Sequence, residues 1–172
     1  SLKPVDVVKD WHSDEECGRQ FLNGTHPVQI RKIDVLPSKF KVTEADVAGV
    51  LPAGRSLQGE LAAGHIYMVD FKILEGIKRG ENYFVENSMG LFFADENNAL
   101  RPIAIQHFQD GSGPIWTPKD GKYEWYLARL HLICSDGNVH QMISHLLKTH
   151  LLMEPWAVCL ERNVPRNHVV YR

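Results

Sequence analysis

The chain has 172 residues, 44% hydrophobic and 23% charged, with 19 basic and 21 acidic side chains and a formal net charge of −2. That balance suits one globular domain or part of a larger one and argues against wholesale disorder. It supplies no large basic field for a phosphate backbone, which argues against nucleic acid as a partner.

The three cysteines, Cys17, Cys134 and Cys159, are odd in number and form no CxxC. Cys134 and Cys159 lie in apolar stretches and read as buried free thiols, which fits a reducing, cytoplasmic setting. No run approaches about 18 consecutive apolar residues, and the opening SLKPVDVVKD has no apolar leader core. With no initiator Met, the start reads as a processing or fragment boundary.

A short helix is expected from Ser13 to Asn23, with Ser13 as N-cap, Glu16 completing a capping box and Gly24 ending it. Residues 25–64 read as irregular, punctuated by Pro37, Gly49, Pro52 and Gly54. Thr43 to Ala48 and Ser56 to Ala63 are candidates for one or two helical turns each. Residues 65–74 read as a strand, followed by loop residues Gly76 and Gly80. Leu91 to Ala94, the turn residues 95–98 and Leu100 to Gln106 predict a hairpin, with Pro102 near an edge or start. Residues 109–121 read as a Gly- and Pro-rich loop. From Lys122 to Thr149 there is no proline, and Trp125, Ala128, Leu132 and Ile133 recur at helical spacing, as do Met142, Ile143, Leu146 and Leu147. One long helix over 122–150 is predicted, strained near Asp136-Gly137. A further helix follows, with Pro155 in its first turn and its end before Pro165. The fold class expected is mainly α with a small β-hairpin.

Of nine histidines, His131, His140, His145 and His150 fall between 131 and 150. The last three are five apart. In a regular α-helix that spacing leaves two side chains about 140° apart, too far round to share an ion. A local π-turn, winding at about 4.4 residues per turn, brings them within about 50° of one face. Imidazoles in an apolar setting suit a divalent transition metal such as iron or zinc. Spacing alone leaves a metal site and a structural histidine cluster both open, and it cannot choose between the two pairs.

The stretch WYLARLHLICSDGNVHQMISHLLKTHLLMEPWAVCLERNVPRNH closely resembles the central iron-ligand helix of lipoxygenases. So, in the family's order, do WHSDEECGRQFLNGTHP, GHIYMVDFKILEGI, LRPIAIQHFQ and IWTPKDGKYEW. The resemblance implies that residues 1–172 are part of a single lipoxygenase catalytic domain built around a long central helix with a π-type bulge. The family's N-terminal β-sandwich and C-terminal half are not included. It implies non-heme iron held in part by His145 and His150, the two histidines of the S-H-L-L-x-T-H pattern. His140 and Gln141 match residues just outside the iron's own ligands. Leu146 and Leu151 match residues lining the fatty-acid cavity, although plain core packing is the equal alternative for both. Gly137 stands where some members carry a bulky residue that limits the cavity; the plainer alternative is a tolerated helix glycine.

The implied activity is dioxygenation: a hydrogen is removed from the methylene between two cis double bonds of a polyunsaturated fatty acid, and O₂ adds to give a hydroperoxide. The family's further ligands, a histidine, usually an asparagine or histidine, and a terminal isoleucine carboxylate, are expected downstream of Arg172. The isolated chain is therefore expected to be inactive and to expose apolar surface. Peripheral membrane contact is expected only through regions beyond this chain. Cys17, His26, His131 and the pair His168-Val169 depart from the family's usual residues and imply a divergent animal member of invertebrate type. The alternatives are a truncated, non-catalytic lipid- or partner-binding product and a zinc hydrolase, which would need a Glu that the ladder lacks.

Overall fold

A computed structural model describes residues 10–77 and 85–169. The opening nine residues and the expected loop residue Gly80 lie outside the described residues. The chain divides into two compact units, residues 1–136 and 137–172.

The first unit begins with α1 (Asp14–Asn23). The Ser13 hydroxyl accepts the Glu16 N–H at 3.0 Å, so the N-cap forms as expected. The reciprocal half of the capping box does not form. The Glu16 carboxylate instead takes the Arg19 guanidinium at 2.6 Å, while the Ser13 N–H goes to the Asp10 carbonyl. The two-pronged ion pair with the Arg19 guanidinium engages both Glu16 oxygens in place of the single box bond. Two short helices follow, α2 (Glu44–Val47) and α3 (Leu57–Ala63). They are the two pieces expected inside the irregular stretch.

The strands are β1 (Arg31–Lys32), β2 (Ile66–Asp70), β3 (Met89–Ala94), β4 (Leu100–Gln106) and β5 (Ile115–Trp116). They form one antiparallel sheet in the order β1-β2-β3-β4-β5. A small hairpin was too little: β3 and β4 are its centre, and β2, β1 and β5 extend it. The two-residue edge strands were hidden because so short a pairing leaves no alternating pattern to read. The expected strand 65–74 also stops early, since Lys72–Leu74 turns as a 3₁₀ segment. Pro102 is tolerated inside β4 because β5 pairs only with Ile105 and Gln106, leaving that side of Pro102 without a strand.

Both faces of the sheet are covered, so β3 is buried almost throughout. Alternation sends Met89, Leu91 and Phe93 into one core with Phe40, Val42, Leu57 and Leu61. The other face meets helices. Phe92 packs on Phe21 of α1 at 5.1 Å between rings. Gly90 meets α4 (Lys122–Val139), where a Cβ would come within 2.5 Å of the Leu132 side chain. Gly18 has the same role on α1: a Cβ there would run into the Leu100 carbonyl.

Within residues 122–136, α4 buries Trp125, Ala128, Leu132 and Ser135, a stripe at three- and four-residue spacing. The Trp125 indole N–H donates to Asp14 at 2.8 Å, and Arg129 donates to the same carboxylate at 3.0 Å. Cys134 faces away from that stripe. It is exposed, as is Cys159, contrary to the expectation that both are buried. The buried thiol is Cys17, whose burial pushes its pKa up to about 12 and leaves it unreactive. No strain appears at Asp136-Gly137, since α4 runs on to Val139.

Candidate metal centre

The second unit carries the histidine ladder. In place of a continued α-helix, His140–Leu151 winds as a π-helix. The N–H of Leu152 reaches the Leu147 carbonyl, five residues back, which is the wider turn's signature. The π winding extends over twelve residues, well beyond a single-turn bulge. The α-helix resumes as α5 (Leu152–Asn163), with Pro155 at the end of its first turn, and stops before Pro165.

This winding stacks residues five apart. The His140 and His145 rings lie 5.6 Å apart, and those of His145 and His150 lie 4.7 Å apart. The Nε2 atoms of His145 and His150 face each other at 2.8 Å. On the other side of the His145 ring, Nδ1 lies 3.3 Å from the Gln141 Oε1. With the proton on Nδ1, that N–H donates to Gln141 and the Nε2 lone pair turns toward His150. The Thr149 hydroxyl donates to the His145 carbonyl. The spacing of Gln141 four residues before His145 was a readable signal for their contact. Thr149 gave a comparable one, since a threonine commonly bonds back to the carbonyl four residues before it.

Two nitrogens, each about 2.1 Å from one ion at a right angle, lie about 3 Å apart. The 2.8 Å separation therefore fits a shared ion, and neutral imidazoles are suitable donors for iron. Among the described residues, no group of three or more His, Cys, Asp or Glu could hold a metal ion.

The apolar side chains beside the ladder are displayed. No residue of the π segment or of α5 is buried, which departs from the buried helix its composition suggests. Leu146 is 39% and Leu151 49% exposed. A Cβ on Gly137 would meet nothing within 4 Å. No described helix is long and apolar enough to cross a membrane.

A family model described as Lipoxygenase matches residues 5–172. The chain belongs to the lipoxygenase family. It is 36% identical to the allene oxide synthase-lipoxygenase protein of Plexaura homomalla, over 97% of this chain and 18% of that protein. It is 37% identical to the human polyunsaturated fatty acid lipoxygenase ALOX15B, over 96% of this chain and 26% of that one. Among solved structures, a calcium-dependent 11R-lipoxygenase superposes with a TM-score of 0.86 at 41% identity, over 96% of this chain and 25% of its own. The chain thus spans about a fifth to a quarter of the length of these relatives.

Proposed function

We propose that this chain is a segment of one catalytic domain, acting in the cytoplasm as part of a non-heme iron dioxygenase on polyunsaturated fatty acids. The observation that carries the reading is the pair of facing Nε2 atoms, 2.8 Å apart on a π-wound helix, in a chain of this family.

His145 and His150 are two of the ligands, and the remaining donors come from chain outside this segment. When bound, the iron supplies the one-electron chemistry that removes a hydrogen from the methylene between two cis double bonds. The residues here set the conditions for it. Both imidazoles bind while neutral, so they hold the ion without adding charge. Gln141 fixes the tautomer and orientation of His145 through Nδ1. His140 stacks beside His145 and supports its ring without being a ligand. Leu146 and Leu151, adjacent to the two ligands, offer an apolar wall to the hydrocarbon chain. Gly137 leaves the space above one turn of the helix open for a deeper-lying substrate.

Oxygen uptake by the full-length, iron-loaded protein tests this reading. Consumption is expected with a fatty acid that holds two cis double bonds around one methylene, and none with a monounsaturated chain of equal length. Equal uptake with both, or uptake with neither, contradicts it.

A further inference from the structure

The backbone carbonyl of His145 sits where α and π winding part. In an α-helix that oxygen takes the N–H four residues on, which belongs to Thr149; in π winding it takes the N–H five residues on, which belongs to His150. The π pattern is what stacks His150 on His145, with their rings 4.7 Å apart. It also withdraws the Thr149 N–H from the His145 oxygen. Thr149 puts a donor back, because its side-chain hydroxyl donates to the same carbonyl. A carbonyl has two lone pairs, so a hydroxyl and one backbone N–H can share it. A hydroxyl bonded back four residues competes with its own N–H for that oxygen and loosens α winding there. No residue of the π segment is buried, so within this chain side-chain packing does not enforce the wider turn.

We propose that Thr149 is a positioning residue, whose hydroxyl holds the His145 carbonyl in the π pattern and so keeps the Nε2 atoms of His145 and His150 turned toward one ion. The link to iron rests on the proposed reading of these two histidines as ligands. The division of work with Gln141 is clear in the geometry. Gln141 meets the His145 ring, with its Oε1 3.3 Å from Nδ1, whereas Thr149 meets the backbone of the same residue. One sets how the ring is turned, the other where the ring stands relative to His150.

Two measurements on the full-length protein test this role, using Thr149→Val, which keeps the side-chain shape without the hydroxyl, and Thr149→Ser, which keeps the hydroxyl. In the iron-free protein, amide hydrogen exchange over residues 145–152 should be about two- to ten-fold faster in Thr149→Val, and near the unsubstituted rate in Thr149→Ser. With Fe²⁺ added against a competing chelator, Thr149→Val should hold iron about ten-fold more weakly, and its ferric form should give an altered electron paramagnetic resonance spectrum. Thr149→Ser should match the unsubstituted protein in both. If Thr149→Val does not fold, Thr149→Ala carries the same expectations. Unchanged exchange or unchanged iron affinity in Thr149→Val, or an equal loss in Thr149→Ser, would overturn the proposal. A different result marks failure of the ligand reading: faster exchange in Thr149→Val, with no iron held even by the unsubstituted protein, would leave Thr149 a hold on the winding and remove the ion.

Discussion

Residues 10–136 and 137–169 use the same kinds of side chain in opposite ways. In the first unit the large apolar residues close on one another: Phe71, Phe92, Leu91 and Leu132 are all essentially inaccessible to water. In the second, Leu147, Leu152, Met153 and Trp156 are between 53% and 66% exposed. The polar groups differ in the same sense. The first unit pairs its buried ones, as when Gln106 takes the Lys41 N–H and donates to the Phe108 carbonyl. The second aims three imidazoles along one face of a costly helical form. The first unit accounts for its own fold. The second displays its apolar side chains, and under the proposed function they are the surface of a ligand-bearing helix.

The sharpest way to break this comparison is a pair of truncations. Leu132→Ala, at a fully buried site under Gly90, should destabilise this chain by about 2–5 kcal/mol in urea unfolding. Leu147→Ala, 53% exposed, should cost under about 0.5 kcal/mol in the same chain. In the full-length protein the Leu147 variant should move toward the Leu132 value. If it stays neutral there, the apolar face has no partner within the enzyme. A smaller effect checks the first unit alone. Ser13→Ala removes the one side-chain cap of α1 and should cost about 1 kcal/mol, with thermal unfolding as the readout. A loss well beyond that would mean that Glu16 depends on Ser13 despite its pairing with Arg19.

What was legible in the sequence follows the same division. The α1 cap, the β3–β4 hairpin and the buried stripe of α4 were readable because each is a local pattern with a local cause. The edge strands β1 and β5 were not, because two-residue pairings are decided by the neighbouring strand. Cys134 read as buried because its neighbours are apolar, but the helix turns it off the buried stripe. The five-residue histidine spacing left π winding as one of two alternatives and said nothing of its length, which depends on how many carbonyls shift partner together. Spacing could not separate His140–His145 from His145–His150, and only the resemblance chose.

The central claim, that His145 and His150 are the iron ligands in this segment, is tested most directly by the metal content of the full-length protein. Iron should be present in the unsubstituted protein, absent from His145→Ala and from His150→Ala, and partly retained in His140→Ala. Complete loss of iron in His140→Ala, or undiminished iron in either of the other two, would contradict the assignment.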